Sequence, residues 1–193
     1  MDERAPRKRR LFAGIELEPH ARAACAAVAE QLRKADLAAK YESPEKLHAT
    51  LAFLGFVDPS RVEEVTATLA SCAKRSTPFD VTLDKCSAFP HERRPRVIYV
   101  GAREQGAAFR ALAENVRNAY AALGFEFEDD AIAHVTIARI KESQRPLPLV
   151  DFAPIRLEIR ELALFESLPD PAHKTSRYEI IASVILTRSP MSS

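Results

Sequence analysis

Leu47-His48-Ala49-Thr50-Leu51-Ala52-Phe53-Leu54-Gly55, and its echo Ala133-His134-Val135-Thr136-Ile137, decide how this chain is read. Each core is His, apolar, Thr, apolar, and each opens a stretch with strand character. Side chains alternate across a strand, so His48 and Thr50 share one face while Ala49 and Leu51 share the other. The same alternation sets His134 and Thr136 against Val135 and Ile137. The chain holds five His and eight Thr. By chance, two such His-x-Thr hits with an apolar fourth residue arise in roughly one of a few hundred sequences of this composition. One copy is a weak signal, satisfied equally by a strand histidine and a β-favouring threonine; the pair is specific.

Working outward, strands and helices interleave. Arg10–Leu17 is apolar-rich and reads as a strand. Pro19 suits a first helical turn, and the Ala-rich run to about Ala39 continues it. The first motif lies on a strand over 47–56, closed by Gly55 and the turn signal Asp58-Pro59. Ser60 is expected to cap a helix to about Lys74, with Val62, Val65 and Leu69 as its buried stripe. Strands follow over 79–89 and 97–100. The pattern then restarts: a helix over 105–123 carrying Phe109, Leu112, Val116 and Tyr120, then the second motif's strand over 133–140. Strands over 155–165 and 178–186 close it, separated by a loop holding Pro169 and Pro171. Several neighbouring strands are too close for crossover helices. The fold class expected is therefore α+β: two lobes with mixed or antiparallel sheets facing a central cleft, and helices packed outside.

Bulk properties bound the function. With 193 residues, 47% of them hydrophobic, one bilobal domain over 10–187 can bury its own core. The first nine residues are expected to be a disordered basic arm and 188–193 a frayed tail. A formal net charge of +1 argues against a protein that coats nucleic acid by charge alone. Cys25, Cys72 and Cys86 fit neither a zinc nor a redox spacing and read as reduced thiols. No apolar run approaches the roughly 18 residues of a membrane span, and no signal-peptide core follows the charged start. A soluble, cytoplasmic, monomeric protein is expected.

If a pseudo-twofold relates the lobes, the two polar faces meet across one cleft. Two imidazoles and two hydroxyls facing inward suit phosphodiester cleavage. A neutral imidazole takes a proton from water while a protonated one gives a proton to the leaving oxygen. Histidine's reference pKa of about 6.5 admits both forms near neutrality. Threonine hydroxyls donate to phosphate oxygens as charge builds. No cofactor or metal is called for, and a zinc site on the two His lacks a third ligand at a telling spacing. His20, His91 and His173 read as solvated surface residues. Arg93, Arg94 and Arg96 read either as an exposed turn or as a contact for an RNA backbone.

These residues carry a resemblance. The chain resembles the RNA 2′,3′-cyclic phosphodiesterases, or 2′–5′ RNA ligases, of the two-histidine (2H) phosphoesterase superfamily, from about Arg10 to about Leu186. The matching stretches are Leu11-Phe12-Ala13-Gly14-Ile15, both motifs with their continuations, Phe89-Pro90, Pro95–Gly101 and Tyr178. The resemblance implies His48 as general acid, His134 as general base, Thr50 and Thr136 on the phosphate, and Arg139 facing the substrate. It implies hydrolysis of an RNA-terminal 2′,3′-cyclic phosphate to a 2′-phosphomonoester, with 2′–5′ ligation as the reverse reaction. Departures are Tyr41 where many relatives carry Trp, Ala133 where many carry Pro, and Ser176-Arg177 where a Gly is usual. They bear on the base-stacking surface and the substrate. Small cyclic nucleotides or an ADP-ribose cyclic phosphate remain alternatives, as does a module that binds a nucleotide or RNA end without turnover.

Overall fold

The computed structural model describes residues 7–128, 131–142 and 145–187. The expected tail after 187 and the first six residues of the expected arm lie outside them. The elements are β1 (Arg9–Glu16), α1 (Pro19–Lys34), β2 (Lys40–Tyr41), β3 (His48–Val57), α2 (Val62–Lys74), β4 (Phe79–Leu83), β5 (Lys85–Phe89) and β6 (Val97–Gly101). Then come α3 (Gly106–Ala121), β7 (His134–Arg139), β8 (Ile155–Ile159), β9 (Glu161–Asp170) and β10 (Thr175–Ile185). This is the α+β architecture expected, and every strand pairing is antiparallel.

The strands run β10-β9-β1-β3-β7-β6-β5, with β2 also on β7, and β4 pairs with β8 in a separate ribbon. The long path has two halves. β3 belongs to one and β7 to the other, and a single residue pair, Ala49↔Val135, joins them. One face of the sheet carries the main core. Leu11, Ala13 and Ile15 of β1, with Ala49 and Leu51 of β3, pack there with Val28 and Leu32 of α1, Val65 and Leu69 of α2 and Phe109 and Val116 of α3, all within 1% of fully buried. The Tyr120 hydroxyl donates to the Val65 carbonyl at 3.2 Å and ties α3 to α2. No helix among the described residues is long and apolar enough to cross a membrane.

Several boundaries differ from the sequence reading. Arg9, which the sequence reading placed in the arm, opens β1 and is paired with Glu166. α1 stops at Lys34, where the chain turns through Asp36 at φ 57°. Asp58, not Ser60, caps the turn before α2: its carboxylate accepts from the Ser60 N–H at 2.9 Å. The expected strand over 79–89 is two strands, because β4 pairs with β8 while β5 pairs with β6. The expected strand over 155–165 divides in the same way between β8 and β9. β9 then runs through Pro169 to Asp170. Pro169 lies beyond the last β1 partner, Leu11 opposite Glu166, in a part of β9 that is paired with β10 alone.

Candidate active site

The Ala49↔Val135 pair places the two motifs side by side and antiparallel. Antiparallel pairing has a local twofold axis, so one step along the register sets His48 toward Thr136 and Thr50 toward His134. All four side chains line one cleft of about 570 Å³, together with Arg139. The pseudo-twofold expected from the repeated motif is present at this junction.

Each imidazole is held alike. His48 Nδ1 lies 2.6 Å from the Lys46 carbonyl, and His134 Nδ1 lies 2.9 Å from the Ile132 carbonyl. A carbonyl only accepts, so each ring donates from Nδ1, and Nε2 remains for chemistry. Aromatic rings wall both. His48 sits 4.8 Å from Phe12, 5.6 Å from Phe165 and 5.1 Å from Tyr178, centre to centre. His134 sits 5.4 Å from Phe89 and 5.3 Å from Tyr99. Phe12, Phe165 and Ala163 form a small apolar cluster of their own, with Tyr178 packed on it.

This packing sets the charge state. Burial pushes the His48 imidazolium down to about 4, against the help of its carbonyl partner and of the Glu42 carboxylate. Burial lowers His134 as well, and the Arg139 charge adds to the effect. Without an anion in the cleft, both rings are neutral at pH 7.

Among the cleft residues that the sequence reading did not select is an ion pair. Glu42 and Lys46 form a nearly buried ion pair at 2.5 Å, with side chains 11% and 12% exposed. The Lys46 ammonium also donates to Thr175 Oγ1 at 3.2 Å and lies 5.2 Å from the Tyr178 ring centre. Glu42 holds Arg139 from its other oxygen, at 3.3 Å. Arg139 is thus both a cleft residue, as expected, and one arm of an ion-pair chain. An i,i+4 charge pair beside a Pro reads as solvated surface, and only the tertiary packing buries it.

Two β-bulges aim the next residues. Pairing with β1 skips Leu51, and pairing with β6 skips Ile137, each one residue past its motif threonine. Leu51 and Ala52 are therefore both buried, as are Ile137 and Ala138. The alternation restarts one residue late, which turns Phe53 and Arg139 onto the cleft face. Each lies five residues after its histidine. Among the described residues, the side chains grouped closely enough to share a metal ion are Glu18, His20 and Glu158, none of which lines the cleft. Burial pushes the Cys25 and Cys86 thiols up to about 12, consistent with inert thiols.

The sequence profile of the LigT-like phosphoesterases matches residues 15–99 and 100–173, one motif in each span. The chain belongs to the LigT-like phosphoesterase family. Among LigT-like relatives, it is 27% identical to the RNA 2′,3′-cyclic phosphodiesterase of Thermotoga maritima, over 84% of this chain and 88% of that one. It is 31% identical to the enzyme of the same name from Aeropyrum pernix, over 72% of this chain and 84% of that one. The fold is shared with E. coli LigT bound to 3′-AMP, at a TM-score of 0.76 and 23% identity, covering 94% of this chain and 99% of that one.

Proposed function

We propose that this phosphoesterase hydrolyses 2′,3′-cyclic phosphates at RNA ends, yielding a 2′-phosphomonoester, with His48 as general acid and His134 as general base. The observation that carries the reading is the pair of imidazoles across one local twofold, each with Nε2 left for proton transfer and a motif threonine beside it. In-line attack needs the entering and leaving oxygens on opposite sides of phosphorus, and rings related by a twofold stand on opposite sides of a phosphate between them. Water gives its proton to His134 Nε2 as its oxygen bonds to phosphorus. The P–O3′ bond breaks, and His48 Nε2–H protonates the departing O3′. Thr50 and Thr136 hydroxyls and the Arg139 guanidinium meet the charge on the non-bridging oxygens.

Of the nearby charges, Glu42 distinguishes the two rings: it favours a cationic His48, whereas Arg139 disfavours the cation on both. Burial overrides Glu42 in the free enzyme, and the negative phosphate restores the His48 proton as it enters. Phe53, 61% exposed on the cleft face, offers a surface for the terminal base.

The decisive experiment is turnover of an oligonucleotide ending in 2′,3′-cyclic phosphate, in EDTA, with product identification. Wild type should release the 2′-phosphate, and His48→Ala and His134→Ala should each lose at least about 10²-fold in kcat. Absence of turnover by wild type on this substrate and on cyclic mononucleotides would reject the reading and leave a nucleotide-binding cleft.

A further inference from the structure

β3 continues outward past the cleft, and its exposed residues do not follow simple alternation. Leu54 and Val57 are buried at 6% and 2% exposure, while Phe53 and Phe56 are 61% and 71% exposed. Residues three apart lie on opposite faces of a regular strand. Here a second bulge intervenes: Leu11 pairs with Gly55 and Phe12 with Phe53, so Leu54 is skipped. Gly55 takes a φ of +68°, which glycine adopts without strain, and the next residue is turned back. Phe53 and Phe56 thus share the cleft side of the sheet, and Leu54 and Val57 share the core side.

Phe56 is not needed for the core and does not line the cleft. Its cross-strand partner is Arg10, which is exposed, reaches the cleft wall, and forms no ion pair among the described residues. Arg7 and Lys8 lie exposed just before it. Arg9 is committed to Glu166. Asp58 is close enough to feel the Lys8 charge, and its carboxylate already accepts from the Ser60 N–H and hydroxyl; Glu42, on the cleft wall with Arg10, is already paired with Lys46 and Arg139. An exposed aromatic face beside uncommitted cations is the combination that holds single-stranded nucleic acid, with bases on the ring and phosphates on the cations.

The spacing is consistent. The Phe12–Phe53 and Arg10–Phe56 rows are two residues apart on β1, about 6.6 Å. That is roughly twice the 3.4 Å rise of a stacked strand, so two bases held on these rows are splayed apart rather than stacked on each other.

We propose that Phe56 with Arg10 forms a second-nucleotide subsite, which takes the nucleotide preceding the one that carries the cyclic phosphate. The proposal rests on the hydrolytic reading above and refines its substrate: a strand of two or more nucleotides, rather than a cyclic mononucleotide.

The test compares kcat/KM for a 2′,3′-cyclic mononucleotide and for a trinucleotide with the same terminus, in wild type, Phe56→Ala and Phe56→Trp. Wild type should prefer the trinucleotide. Phe56→Ala should lose about five- to tenfold on the trinucleotide, through KM, and nothing on the mononucleotide. Phe56→Trp should retain the preference. A wild type without length preference, or a Phe56→Ala that affects both substrates equally, would overturn the subsite and leave the exposed ring to another partner. If no cyclic phosphate is turned over, the hydrolytic reading fails. The subsite is then judged by binding of a fluorescent trinucleotide 2′-phosphate: weaker binding to Phe56→Ala supports it, and equal binding overturns it.

Discussion

A carbonyl two residues back fixes each imidazole, and a wall of aromatic rings removes water from it. These two features make opposite demands, since the carbonyl favours the cation and the rings oppose it. The rings prevail: His48 falls to about 4 and His134 falls as well. In the proposed mechanism the active form has one proton on the pair, and its population peaks between the two apparent pKa values of the coupled dyad. Both lie below 6.5, so kcat/KM, which reports the free enzyme, should peak on the acid side of pH 6.5. Substrate anion raises both pKa values, so the kcat profile should sit at higher pH than the kcat/KM profile. A cyclic mononucleotide suits the measurement because its phosphodiester charge is constant over the range. Glu42→Gln removes a carboxylate that favours the His48 cation, so the kcat/KM bell should move further to acid. A kcat/KM maximum above pH 7, or a Glu42→Gln profile unmoved or displaced to alkali, would contradict this account of the charges.

At the scale of elements, the close approach of β1 to β3 sets the motif's position. A methyl group on Gly14 would lie 2.6 Å from the Ala49 carbonyl oxygen, a backbone atom beside His48 with no room to yield. Gly14→Ala should therefore lower stability by about 1–3 kcal/mol, read as a fall in the urea midpoint at unchanged m. It should also cut kcat, since the displaced strand carries His48 and Thr50. A variant within about 0.5 kcal/mol of wild type would mean that the strands separate easily. The same elements show what was legible in the sequence. Parity along a strand set His48 with Thr50 and His134 with Thr136, because alternation is local. The bulges at Leu51, Leu54 and Ile137 were not legible, because a bulge is a relation to a partner strand, and two adjacent apolar residues do not reveal it. Hence Phe53 was missed as a cleft residue. The breaks at Asp84 and Arg160 were hidden for a related reason: the apolar pattern says that a strand is buried, not which neighbour it pairs with. Glu42 and Lys46 escaped notice because their burial depends on β10 supplying Thr175 and Tyr178 from the far end of the chain.

For the whole molecule, the cleft lies where the two halves of the sheet share one residue pair, so the site's electrostatics bear on global stability. His48 titrates near 4 folded and near 6.5 unfolded. Between those values the unfolded chain binds more protons, so this histidine's contribution is complete above pH 6.5 and is lost as pH falls toward 4. His134 acts in the same sense. An anion in the cleft opposes the loss, because it binds only the folded protein and binds best when the imidazoles are charged. Sulfate is the suitable probe, since it keeps its double charge across this range. Added sulfate should raise the melting temperature more at pH 5.5 than at pH 8. Part of any sulfate effect is general exclusion from protein surface, which is independent of these rings. The double variant His48→Asn, His134→Asn isolates that part: it should keep a sulfate shift that is the same at both pH values. Equal sulfate shifts in wild type at pH 5.5 and 8, or a pH-dependent shift surviving in the double variant, would mean that the two imidazoles do not form the molecule's anion site.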